Sequence, residues 1–178
     1  MAPFVHLHVH SYYSFCRGAN SLEELCATAQ RLGFRALALT DTNGVYGLVR
    51  FLEIAREYDL VPLIGTEIRT DTERAVLLCK SQRGYSNLSR LLTLRHLDPH
   101  FRLAEALPAH AEDLIVLTDQ PALLARWARE LGTDSVYAEL RPGPNRRRLL
   151  RFARQHGLRP VATNGVHFAT PSDYRVHR

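Results

Sequence analysis

At 178 residues, 46% of them hydrophobic, the chain is long enough to bury one sizeable core and needs no second. Its net charge of +5 rests on arginine, because Lys80 is the only lysine; guanidinium forks suit phosphate, so nucleic acid is one conceivable partner. No apolar run approaches the roughly 18–20 residues of a membrane span, the opening MAPFVHLHVH lacks the order of a signal peptide, and Cys16, Cys26 and Cys79 have no CxxC spacing, which argues against a disulfide framework or zinc ribbon. The expectation is one soluble, cytoplasmic domain over residues 1–178 with reduced thiols.

In chain order, residues 4–9 read as the first strand, followed by the helix SLEELCATAQRLG, which opens on a Ser21/Glu24 capping box and stops at Gly33. A strand at 36–40, the helix GLVRFLEIAREYDL and strands at 61–65 and 75–79 come next. Residues 95–112, with His96, His100 and His110, fit a loop or broken helix. Strands at 114–118, 136–140 and 160–163 then alternate with the helices PALLARWARELG and PNRRRLLRFARQHG. Seven strands with interposed helices imply a parallel sheet, either closed as a (β/α) barrel or open and doubly wound, with chemistry at the carboxyl ends of the strands.

In FVHLHVHS the period of two puts His6, His8 and His10 on one face and Val5, Leu7 and Val9 on the other. A solvated edge strand is the plain alternative. Strands of a parallel sheet are covered on both faces, however, so three imidazoles without partners would be costly, and a metal or phosphate site is the stronger reading. Asp41, Glu67 and His167 each lie just past an apolar run. Singly they could be a helix cap or a rim residue; together they would bring imidazoles and a carboxylate to one cleft, as a divalent metal requires.

The strings FVHLHVHSYYSFCRGA, ALALTDTNGVYG, PLIGTEI, LLCKSQRGYSNLSRLL and VATNGVHFATPSDYRVHR resemble, in order and spacing, the polymerase-and-histidinol-phosphatase (PHP) domain of the bacterial DNA polymerase III alpha subunit, and Arg17-Gly18-Ala19 is closer to its error-prone branch. The resemblance implies an α/β fold, a PHP-type distorted (β/α)7 TIM-like barrel in a single domain, whose cleft binds up to about three ions of zinc, manganese or iron. Positions matching the family's ligands keep His8, His10, Glu67 and His167, with His100 near its mid-chain histidine. Four other positions carry Arg17, Thr42, Gln120 and Gly165 where ligands are expected. That reduction implies fewer than three ions, and Cys16 beside Arg17 reads as a small buried thiol rather than a replacement ligand.

Two functions follow as expectations. One is a scaffold with a degenerate metal site in DNA replication or translesion synthesis, contacting polymerase catalytic domains or other replication or repair subunits, and DNA itself as a further partner. The other is a metal-dependent phosphoesterase, a 3′–5′ exonuclease or pyrophosphatase that uses a metal-activated water. Arg146, Arg147, Arg148, Arg151 and Arg154 read first as the solvated face of a helix whose buried stripe is Leu149, Leu150, Phe152 and Ala153. A docking surface for DNA or a polymerase domain is the alternative.

Overall fold

In the computed structural model, which describes residues 4–177, the first helix begins where the sequence places its cap. Glu24 N–H donates to Ser21 Oγ at 3.2 Å and Ser21 N–H donates to the Glu24 carboxylate at 2.9 Å, so α1 (Leu22–Arg31) starts with two otherwise orphaned donors satisfied. Leu22, Leu25, Cys26 and Ala29 form its buried stripe at helical spacing.

The chain divides into two compact units, one built from the stretch up to Thr66 together with Gly165 onward, the other from Glu67 to Asn164. In the first, β1 (Ala36–Leu39) pairs in parallel with the opening of β2 (Val61–Arg69), and the crossover between them carries α2 (Leu48–Glu57). Val9, Leu37, Leu39, Phe51, Ile54 and Leu60 belong to its core. The strand expected at 4–9 is reduced to two isolated parallel bridges, His6 with Leu37 and Val9 with Val166. The ladder is interrupted because Val9 N–H donates to the Thr40 side chain at 2.8 Å.

The second unit orders β3 (Arg74–Cys79), β4 (Leu114–Thr118), β5 (Val136–Leu140) and β6 (Arg159–Ala162). β4, β5 and β6 are parallel, with the crossovers α5 (Pro121–Leu131) and α6 (Arg146–Gln155). The all-parallel expectation fails at β3, which runs antiparallel to β4. β2 and β3 are joined by a tight turn closed by Thr70 N–H to the Glu73 carbonyl at 2.8 Å. So short a link leaves no room for the crossover that a parallel neighbour needs.

A helix that periodicity did not announce, α3 (Gln82–Leu97), follows β3. Gly84, Ser86, Asn87 and Ser89 give it weak intrinsic propensity. Its register is set by packing: a Cβ at Gly84 would lie 2.2 Å from the Asp113 carbonyl oxygen, so only glycine admits that approach. Of the two forms expected for the irregular stretch, loop or broken helix, it takes the second, with α4 (Leu103–Ala106) running into a 3₁₀ turn at Leu107–His110. Trp127 is fully buried, and its indole N–H lies 3.4 Å from the Ala104 carbonyl.

Cys16 corrects the sequence reading, because it is exposed, whereas Cys26 is buried and Cys79 partly so. Burial pushes the Cys26 and Cys79 thiols up to about 11, which leaves roughly one in a thousand as thiolate at pH 8. Ellman's reagent at pH 8 should therefore titrate one fast thiol per native chain and release the other two only on unfolding; three fast thiols would contradict the burial of Cys26 and Cys79. Among the described residues no helix is long and apolar enough to cross a membrane.

Candidate metal centre

The chain after Val9 turns sharply, and Asp41, at the end of β1, organises the turn. The Asp41 carboxylate accepts from Ser11 N–H at 2.7 Å, Ser11 Oγ–H at 2.8 Å and Ser14 Oγ–H at 2.6 Å, and only 1% of the residue is exposed. Burial raises its pKa from the ordinary carboxylate value, against the downward pull of these donors. Thr66 Oγ1 ties the next segment down by donating to the Asp41 carbonyl at 2.6 Å. Gly18 closes the loop so tightly that a Cβ there would fall 1.9 Å from the Ser11 carbonyl oxygen.

This turn sets the tautomer of His10. Because Ser14 Oγ gives its only proton to Asp41, it can act only as an acceptor toward Thr42 N–H at 3.0 Å and His10 Nδ1 at 3.1 Å. His10 therefore carries its proton on Nδ1 and presents a lone pair at Nε2. A histidine whose far nitrogen is held by an oxygen acceptor, backed here by a carboxylate through the serine, is the arrangement that supports imidazole ligation of metals.

His10 Nε2 lies 3.0 Å from His8 Nε2, and both residues are at most 2% exposed. Glu67, 1% exposed, is the residue after Thr66 on unbroken β2, so the strand paired with β1 carries it into place. His8, His10 and Glu67 each offer a ligand atom within 4.8 Å of the other two. Metal–nitrogen bonds of about 2.0–2.1 Å in tetrahedral geometry place two nitrogens about 3.3 Å apart, so the imidazoles need shift by only a few tenths of an ångström. Two nitrogens and a carboxylate oxygen, all buried, fit one divalent ion.

Competing with this is Arg69, two residues beyond Glu67 and on the same strand face. Its Nη2 and Nε donate to the Glu67 carboxylate at 3.0 and 3.3 Å. A guanidinium thus already supplies Glu67 with positive charge.

The remaining expected site residues are placed as follows. His167 stacks on His10 with ring centroids 4.7 Å apart and planes 10° from parallel, and its Nδ1 lies 3.2 Å from the Arg17 carbonyl oxygen. A carbonyl oxygen can only accept, so His167 donates from Nδ1. Arg17 thus contributes through its backbone oxygen. Thr42 Oγ1 lies 3.4 Å from His10 Nδ1, beside the ligands rather than among them. His6 is only half-buried between the rings of Phe4 and Phe34, its Nδ1 has no hydrogen-bond partner among the described residues, and burial lowers its pKa. His100 is exposed in the turn after α3, where its backbone N–H donates to Asp98, and it joins no group of potential donors among the described residues.

At the carboxyl ends of β4 and β5 the second unit is occupied by internal pairs. Asp119 accepts from Arg74 Nε at 3.0 Å, more closely from Arg74 Nη2, and from Arg141 Nη2 at 2.8 Å. Gln120 Oε1 accepts from Arg74 N–H and its Nε2 donates to the Thr72 carbonyl, both at 2.8 Å, so this side chain clasps the β2–β3 turn. Glu139, 3% exposed, accepts from Thr163 Oγ1 at 2.6 Å. Sequence reasoning passed over Ser11, Ser14 and Arg69. Arg69 could have been found from its period-two spacing to Glu67, but the serines act through a turn that no periodicity marks.

With this geometry established, the model of the PHP domain matches residues 6–142. The chain belongs to the PHP domain family. Among curated relatives, this PHP domain is 35% identical over 192 residues to the error-prone DNA polymerase of Corynebacterium jeikeium and 38% identical over 181 residues to that of Pseudomonas aeruginosa. The alignments cover 98% and 94% of this chain but 16% and 18% of the relatives, so the chain spans less than a fifth of their length. Among solved structures it is similar to a candidate metal-dependent phosphoesterase from Bifidobacterium adolescentis (TM-score 0.61, 16% identity, 96% of this chain and 90% of that one). It is also similar to an amidohydrolase from Chromobacterium violaceum (TM-score 0.66, 16% identity, 95% and 89%). These likenesses establish the expected PHP-type α/β fold.

Proposed function

We propose that this PHP domain is a structural module of an error-prone-type DNA polymerase, with a metal centre reduced to a single ion. The observation that carries the proposal is that only His8, His10 and Glu67 converge among the described residues, and the carboxylate of that set is shared with Arg69. His167, stacked beside His10, is the fourth donor we assign. Two or three imidazoles and one carboxylate favour zinc over the harder manganese. When bound, such an ion can lower the pKa of a water molecule and polarise a phosphoryl oxygen. The chain's own residues hold the lone pairs in place, with Ser14 and Asp41 fixing the His10 tautomer and the Arg17 carbonyl fixing that of His167.

Phosphoester hydrolysis usually draws on two ions that clamp the attacking and leaving oxygens. The second set of donors is missing from the positions the family would use. Gln120 holds a turn, Thr42 is bound to Ser14, and Gly165 has no side chain. On this reading the partners are the polymerase catalytic regions and other replication or repair subunits.

The competing phosphoesterase reading draws support from the buried donors and the Asp41–Ser14–His10 relay. Incubating the pure domain with Mn²⁺ or Zn²⁺ and a 3′-labelled strand decides between them. The structural-module reading expects no nucleotide release above the metal-only blank, and metal-dependent release abolished by His8→Ala would overturn it.

A further inference from the structure

α6 carries Arg146, Arg147, Arg148, Arg151 and Arg154, every one exposed. Several arginines elsewhere are matched by carboxylates: Arg50 with Glu23, Arg83 with Glu112, Arg126 with Glu130, and Arg74 and Arg141 with Asp119. On α6 the helix itself contains no acidic residue, and none of the five guanidiniums forms a hydrogen bond or ion pair among the described residues. Neighbouring Arg159 is different: it lies 4.6 Å from the Tyr137 ring centroid and donates to the Thr133 and Asp134 carbonyls.

The placement along the helix points the same way. Arg146, Arg147 and Arg148 occupy the first turn, where the macrodipole is positive and cations are disfavoured. The N-cap Asn145 makes no side-chain hydrogen bond there, and the first turn contains no acidic residue. The helix is held by burial of Leu149 and Ala153, with Leu150 and Phe152 only partly covered. Its outer face therefore concentrates positive charge that the fold leaves uncompensated. Arg147, Arg151 and Arg154, spaced i, i+4, i+7, make one row about 10 Å long at 1.5 Å per residue.

We propose that the outer face of α6 is a nucleic-acid docking surface that grips the phosphate backbone without reading sequence. An extended strand offers evenly spaced, fully ionised phosphates to which each guanidinium can donate bidentately. The same anions compensate the charge at the amino end of the helix. Nothing in the row is aromatic or otherwise arranged to stack on or read a base, so binding is electrostatic and sensitive to salt.

Fluorescence anisotropy of the 178-residue chain with a labelled single strand of about 20 nucleotides, titrated with NaCl from about 50 mM upward, tests this directly. For two to five phosphates neutralised, the expected slope of log K against log salt is about −1.4 to −3.5. The triple reversal Arg147→Glu, Arg151→Glu, Arg154→Glu should cost at least tenfold in affinity and flatten the slope, while the corresponding triple lysine variant stays within about threefold. If the reversal variant fails to fold by circular dichroism, the single changes Arg147→Gln and Arg154→Gln replace it, each reducing the slope by about 0.7. No binding by the wild type, or an unchanged slope in folded variants, would overturn the proposal. So would poly-glutamate or phosphatidylserine vesicles binding as tightly as the strand at the same salt.

Discussion

Alanine at His8 should weaken Zn²⁺ binding at least a hundredfold. At the proposed single-ion centre, His8 supplies one of three converging buried donors. Deleting a group that merely orients a ligand typically costs 10–100-fold, so deleting a ligand costs more, about 2.7 kcal/mol at a hundredfold. Competition calorimetry at neutral pH with a chelator of known affinity reads the change, with His100→Ala as the exposed control that leaves affinity alone. Arg69→Ala should move affinity the other way, because it frees Glu67 from a bidentate guanidinium. Equal affinity in wild type and His8→Ala would overturn the proposed metal centre.

Asp41 carries the second large effect, on stability. Its carboxylate is the acceptor for one backbone N–H and two hydroxyls, and it is 1% exposed. Asp41→Ala leaves those buried donors to be resatisfied by a turn that Gly18 and Thr66 hold rigid. Each unsatisfied donor costs about 1–3 kcal/mol, although the hydroxyls can re-aim. We expect a net loss of about 3 kcal/mol in urea unfolding. Asp41→Asn, which keeps one acceptor oxygen, should lose about half as much. Either change releases Ser14 and with it the His10 tautomer, so zinc affinity should drop 10–100-fold even where the fold survives. A loss of stability below about 1 kcal/mol for Asp41→Ala would mean that the three donors find other partners.

The sequence made some elements legible because their signals are local. The Ser21/Glu24 box, the helical stripe of α1 and the short apolar runs of β1, β4, β5 and β6 depend only on neighbours a few residues away. α3 was hidden because its polar, glycine-containing composition opposes its conformation; the burial of Leu88, Leu91 and Leu92 overrides propensity there. Cys16 was misjudged for a related reason: thiols are usually buried, but this one sits in the turn after Ser14 with a positive φ of 59°.

The centre divides in the same way. That His8 and His10 face together, and that Glu67 follows an apolar run, is fixed by the two-residue period of extended chain, and so is written in the sequence. Which lone pairs they present, and what competes for them, is not. Those depend on Ser14 reaching Asp41 across 27 positions of chain, on His167 stacking against a ring more than 150 positions away, and on a guanidinium folding back onto Glu67. Hydrogen bonds act over about 3 Å irrespective of separation along the chain, so only tertiary structure could decide that a row of histidines became a small, partly neutralised site.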